Sequence, residues 1–338
     1  MDMKRREFFG SALAGGAIGL PFTGSAERNQ TEGGGKEQFF RADEEVVIER
    51  PVPGKPHAGK VLAAIEPHVD DVPIFAGGTV AKLIKEGYTG YLIRTTNDEM
   101  AGSGKTTGEV VLNNENDTFA VAKALGLKKV FNLEYRNHCL DSEPWQDFRG
   151  RLILLFRLLK VDTVICYDPS GMYEENPDHY VTAKMVEAAR WMAGMSKDYP
   201  EQLAAGLQPH SVSERYYFAR GPQLVNRIVD ISSTIDQKVA ANVAIVTQGP
   251  GGNAGARLRQ QLAAKGERLP ILGNDNETAN RQYFKHFVLD IDSKASRGVP
   301  SDREVGRKYG LEWAEPFHYM GPPESKLDQY IAEHKTSL

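Results

Sequence analysis

Cysteine is nearly missing from this chain of 338 residues. Only Cys139 and Cys166 occur, too few for a disulfide framework, and two unrelated buried thiols are expected rather than a bridge. A basic face is missing as well. Lys and Arg number 41 against 45 Asp and Glu, for a formal charge of -4. With no zinc-finger spacing and no RNA-binding signature, no nucleic-acid partner is expected. Long apolar runs are also lacking; a membrane span needs about 20 such residues, so no stable span is expected once the N-terminal segment is removed. There is no internal repeat, and no low-complexity tract beyond Gly33-Gly34-Gly35. What is present, 41% hydrophobic and 25% charged residues, is the composition of a soluble globular protein.

The N-terminus reads as an address rather than as fold. Lys4-Arg5-Arg6-Glu7-Phe8-Phe9 leads into a Gly/Ala-rich apolar stretch ending near Phe22, and Gly24-Ser25-Ala26 offers a small-residue cleavage site. A charged segment, an apolar segment and a cleavage site in that order form a signal peptide, and the arginine pair before aromatics resembles the twin-arginine type. Residues 1–26 are therefore expected to direct export to the periplasm or the outside of the cell. Residues 27–58, rich in Gly, Glu and Pro, read as a linker or N-terminal extension.

From Lys60 onward, short apolar runs alternate with helical stretches. Strands are expected at 61–65, 88–96, 129–133 and 161–167. Helices are expected at 79–86 (opened by Gly77-Gly78-Thr79), 109–125, 144–160 and 177–194. Continuous apolar runs such as Val61-Leu62-Ala63-Ala64-Ile65 suit strands buried on both faces. Four strand–helix alternations predict an α/β fold, a Rossmann-like three-layer sandwich with a mainly parallel sheet and helices on both faces. Right-handed crossovers then bring the loop after every strand to one edge of the sheet, where ligands bind. Further on, 213–219 resembles a strand, 229–246 one turn and then a helix, 248–255 a glycine-rich loop and 256–264 a helix. The polar stretch 266–310 yields no clear pattern.

Two of those edge loops carry the chemistry. After the first strand comes Glu66-Pro67-His68-Val69-Asp70-Asp71; after the fourth comes Asp168 through Asn176-Pro177-Asp178-His179. His68, Asp71 and His179 would give zinc two nitrogens and an oxygen, leaving one tetrahedral position for water. Asp70 would then stay free as a base beside the metal. Each motif alone has a plain structural explanation, since Asp71 can cap a helix and Asp178 suits a helix N-terminus. Both together, after two strands of one sheet, point to a metal site.

These residues, with Gly77-Gly78-Thr79 and Tyr167-Asp168-Pro169, resemble the PIG-L/LmbE-like family of zinc-dependent N-deacetylases. The likeness covers about residues 60–250, extends to Tyr216-Tyr217-Phe218 and Val229-Asp230-Ile231, and has a weaker echo in Glu315-Pro316-Phe317. It implies Zn2+ as cofactor, His68, Asp71 and His179 as ligands, Asp70 as general base and Tyr173 polarising the substrate carbonyl. Three departures stand out. Val72 replaces the glutamate that closes the family's first motif. Asn176 replaces a histidine, and a neutral donor in place of a charged one would cost on the order of 10²-fold in rate. Leu112 and Asn137 stand where the family carries a substrate-contacting arginine and aspartate.

The sequence thus predicts a catalytic domain at 59–250, elaborated by 251–338. Its expected activity is zinc-dependent hydrolysis of an N-acyl, chiefly N-acetyl, group on a small-molecule or glycan substrate, with Asp70, Tyr173 and Asn176 catalytic. Two alternatives stay open: a zinc hydratase or lyase acting on a small oxo-acid, and a non-catalytic glycan-binding member. Neither substrate nor oligomeric state is written in the motifs. Asn97, Asp98 and Glu99 are further candidates to contact a sugar, and His138 to reach the pocket. Trp145 and Tyr135 read as packing residues. His318 would lie over the site only if the tail folds back. Gly249-Pro250-Gly251-Gly252 lacks the Lys-Ser/Thr of a phosphate loop and is set aside.

Overall fold

The computed structural model describes residues 46–322 and 325–337. The expected signal peptide at 1–26, and the linker up to residue 45, lie outside the described residues. Among those that are described, no helix is long and apolar enough to cross a membrane.

The elements run in order β1 (Val47–Glu49), β2 (Val61–Glu66), α1 (Asp71–Lys85), β3 (Thr89–Thr96), α2 (Thr107–Leu125), β4 (Lys129–Tyr135), α3 (Trp145–Leu159), β5 (Thr163–Tyr167) and α4 (Pro177–Ala193). There follow α5 (Pro200–Ala204), β6 (Glu214–Phe218), β7 (Arg227–Asp230), α6 (Ile235–Val243), α7 (Ala254–Ala263), α8 (Asn276–Tyr283) and a π-helical stretch, Phe284–Ile291. The chain closes with α9 (Ser293–Arg297), α10 (Asp302–Lys308), β8 (Ala314–Met320) and α11 (Lys326–His334).

One sheet of eight strands, in the order β1-β7-β8-β6-β5-β2-β3-β4, forms the centre. β8 alone is antiparallel to its neighbours β6 and β7; the other pairings are parallel. The core strands are buried as their apolar runs require: Leu62 to Ile65 and Val164 to Cys166 are wholly inaccessible. Helices α1, α2 and α6 pack on one another, and α3 packs on α4. Thus the Rossmann-like α/β expectation holds. The chain travels β2-β3-β4 outward and returns to place β5 on the other side of β2. The order therefore reverses between β2 and β5, the switch point where open α/β sheets bind ligands.

Three local expectations are corrected. α1 begins at Asp71, not at Thr79, so Gly77-Gly78 lie inside the helix. Gly78 is glycine because a Cβ there would sit 2.7 Å from Ile231 Cβ. The stretch expected to be linker up to residue 58 supplies the edge strand β1. Val229 and Asp230, expected as a turn before a helix, belong to strand β7. β8, inserted between β6 and β7, ties the C-terminal region into the same sheet.

Candidate active site

The turn from β2 to α1 carries His68 and Asp70, with Asp71 opening α1; the loop from β5 to α4 carries Tyr173 and Asn176, with His179 in the first turn of α4. These turns flank the switch point, and their side chains line one cavity of about 690 Å³. Pro177 opens α4, its fixed φ suiting a first helical position, and Asn176 caps it by accepting from the Asp178 N–H at 2.9 Å. That cap aims His179 back at the sheet.

His68 Nδ1 and His179 Nε2 face each other at 3.0 Å. Asp71 completes the triangle, with Oδ2 3.4 Å from the first nitrogen and Oδ1 3.6 Å from the second. Two bare imidazole lone pairs do not face each other at hydrogen-bond distance; a proton or a cation must lie between. Donor atoms spaced by ~3.3 Å suit a tetrahedral ion with bonds near 2.0–2.1 Å, so the trio fits a metal such as zinc.

The outward nitrogens are held as metal-ligating histidines usually are. His68 Nε2 lies 3.0 Å from Asp178 Oδ2. That carboxylate also accepts from Asn137 Nδ2 at 3.0 Å and from the His138 N–H at 2.6 Å. Burial lowers the His68 pKa, but Asp178 and Asp71 outweigh it and raise it well above the ordinary value. His179 Nδ1 is 3.1 Å from Glu174 Oε1, though out of line for a hydrogen bond. Tyr167 OH donates to Asp71 Oδ1 at 2.6 Å, and its ring stacks on His179 at 4.3 Å. Burial pushes the Asp71 carboxyl up, yet His179, His68 and Tyr167 together hold it below its usual range.

Asp70 is different. It is half-buried, lines the cavity, and its side chain caps nothing. Desolvation, followed by the charge of Asp71, pushes its carboxyl up to about 7; a divalent cation beside it would draw that value down again.

Tyr173 stands at the rim, 79% exposed, with φ 59. Asn176 lines the cavity with its oxygen committed to the helix cap, so the amide nitrogen is its available donor. His138, also in the left-handed region at φ 60, lines the cavity. Asn137 backs His68 as well as lining it. Gln248, Gly249 and Pro250, from the loop set aside as a phosphate binder, form a wall. Other candidates are elsewhere. Asp98 is wholly buried, accepting from the Val69 N–H at 3.1 Å, and neither Asn97 nor Glu99 lines the cavity. Leu112 is 55% exposed on α2. His318 is held by Asp168 at 2.9 Å, outside the cavity. Val72, in place of a glutamate, is buried, and its N–H donates to Glu66 Oε2 at 3.0 Å.

Sequence reasoning did not find the support that Asp178 and Tyr167 give to the metal trio. The available signal was adjacency: Asp178 precedes a ligand-type histidine, and Tyr167 ends the strand that delivers the loop.

The family described as "PIG-L: GlcNAc-PI de-N-acetylase" matches over residues 63–190. Diacetylchitobiose deacetylase of Thermococcus kodakarensis is 32% identical over 187 residues, covering 54% of this chain and 67% of the relative. Two solved structures share the fold. N,N'-diacetylchitobiose deacetylase from Pyrococcus horikoshii superposes with a TM-score of 0.58 at 23% identity, over 79% of this chain and 88% of that one. The conserved protein TT1542 from Thermus thermophilus gives 0.52 at 24%, over 76% and 92%. The chain belongs to the PIG-L family and is a hydrolase of carbon–nitrogen amide bonds, an N-deacetylase.

Proposed function

We propose that this N-deacetylase is zinc-dependent, that it removes the acetyl group of an N-acetylated sugar or glycan, and that it works outside the cytoplasm. The observation that carries the reading is the division of labour at the β2–α1 turn. His68, Asp71 and His179 point donor atoms at one spot, while neighbouring Asp70 keeps a carboxylate free in the same cavity. A site that only held metal would have no use for that second carboxylate. The substrate class rests on the relatives named for diacetylchitobiose and on the hydrogen-bonding groups that line the cavity. Export rests on the order of residues 1–26.

In this reading His68, Asp71 and His179 hold the zinc, which when bound polarises the acyl oxygen and acidifies water. Asp70 takes the proton from the attacking water and hands it to the leaving amine. The Asn176 amide nitrogen and the Tyr173 hydroxyl donate to the oxygen that gains charge. Asp178 keeps the His68 imidazole turned inward, and the stacked Tyr167 ring holds that of His179 in place.

Acetate release and zinc content, measured on one preparation of the full chain with N-acetylated sugars, test this. For Asp70→Asn, release should fall by about 10³-fold with zinc per chain unchanged. Release within a few-fold of the parent would remove Asp70 from the chemistry. Zinc without acetate from any sugar would point instead to hydration of an oxo-acid.

A further inference from the structure

A helix begins with backbone N–H groups that have no partner inside it, and buried ones must find a partner elsewhere. In the first turn of α1, the Asp71 N–H donates to His68 O at 3.2 Å and the Ile74 N–H to Asp70 O at 3.0 Å. Position 73 is proline and has no N–H to satisfy. That leaves the Val72 N–H, which Glu66 accepts on Oε2 at 3.0 Å. Glu66 ends β2 and is wholly buried.

An aspartate just before a helix ordinarily does this work itself. From an extended backbone it turns its carboxylate onto the second or third N–H of the helix. In α1 that residue is Asp70, yet its side chain makes no such bond, and its backbone sits at φ -100, ψ -10, which is not extended. The second N–H, of Val72, is taken by Glu66, and the third does not exist because of Pro73. No bond rewards Asp70 for turning toward the helix. Its carboxylate instead lines the cavity beside Gly249. Stability alone is a weak reason for a glutamate in this place: Oε1 of Glu66 is buried and has no partner among the described residues, and an unsatisfied buried oxygen is destabilising.

We infer that Glu66 is a positioning residue: together with Pro73 it relieves Asp70 of the cap of α1 and so keeps the Asp70 carboxylate in the cavity. The inference rests on the role proposed above for Asp70 as base. Glu66 touches neither substrate nor metal; it acts by occupying the donor that would otherwise draw the base away.

Two variants give Asp70 a helix donor back. Glu66→Ala frees the Val72 N–H, and Pro73→Ala adds an N–H at position 73 without removing a buried polar group. In crystals of the zinc-loaded full chain, each should show the Asp70 carboxylate turned onto the N–H so offered. Glu66→Gln, whose amide oxygen still accepts from Val72, should leave it in the cavity. With N,N'-diacetylchitobiose as substrate, kcat should fall about tenfold in both alanine variants, the bias that a capping bond gives. KM and zinc per chain should not change, and Glu66→Gln should stay within a few-fold of the parent. On an Asp70→Asn background neither alanine should lower kcat further, since the group it acts through is already gone. An Asp70 carboxylate that stays in the cavity in both alanine variants overturns the inference. So does a kcat loss in Glu66→Ala that recurs in full beside Asp70→Asn, which would make Glu66 a support of the fold alone. If Glu66→Ala does not fold, Pro73→Ala still decides. Parent-like acetate release by Asp70→Asn alone would sink the reading of Asp70 as base, while the crystals still decide what holds its carboxylate.

Discussion

At the scale of single residues, the site depends as much on what is small as on what is charged. Gly249 has φ +72, and a Cβ there would sit 2.9 Å from Asp70 Oδ2. Glycine therefore does two things at this position: it accepts a left-handed backbone and leaves the base room to stand over the cavity. Gly249→Ala strains the turn and pushes on the carboxylate. We expect kcat to fall about 10- to 100-fold, as small displacements of catalytic groups do, with zinc content unchanged. Loss of zinc instead would mean that the loop supports the ligands rather than the base. Residue identities at the metal site were readable in the sequence because His68, Asp70, Asp71 and His179 sit in short spaced motifs. Their supports were not. Asn137 meets His68 from the loop after β4, which leaves no spacing to read, and Asp178, in the first turn of α4, was marked only by its place beside His179.

Elements were legible where they obey a local rule. Apart from the start of α1, alternating apolar runs and helices foretold β2 to α4 nearly in place, since strands buried on both faces must be continuously apolar. β7 and β8 escaped because neither is recognisable alone. β7 is four residues long, and β8 contains a proline and becomes a strand by docking between β6 and β7. That docking brings Glu315 against the middle of α1, where its carboxylate accepts the Gly78 and Thr79 N–H groups at 3.0 and 2.8 Å. The same carboxylate pairs with buried Lys238 at 2.6 Å, Lys238 with Asp302 at 2.7 Å, and Asp302 with Arg297 at 2.7 Å. Arg297 in turn donates to Ile74 O, the carbonyl four residues before Gly78. A charged chain from the C-terminal region thus grips the helix that carries Asp71. Removing one partner of a buried pair leaves an uncompensated charge, so Glu315→Ala should cost ~3–5 kcal/mol. A urea midpoint measures this; a loss below ~1 kcal/mol would mean that water replaces the carboxylate.

For the whole molecule, the metal trio is a cross-link. His68 and Asp71 belong to the β2–α1 turn and His179 to α4, 111 residues from His68, so an ion bound by all three ties both sides of the switch point together. Only the folded chain presents these donors at 3.0 to 3.6 Å, and a ligand that binds the folded state alone stabilises it by mass action, about 2.7 kcal/mol at a concentration of 100 Kd. Zinc should therefore raise the melting temperature of the chelator-treated protein by several degrees, and chelator should reverse the shift. His179→Gln, which withdraws α4 from the cross-link, should abolish most of the shift, whereas Asp70→Asn should keep it, because Asp70 is assigned to the proton and not to the metal. A shift lost with Asp70→Asn would turn the base into a ligand. One that survives His179→Gln would place the ion away from α4, and the His68–Asp71–His179 site would fall.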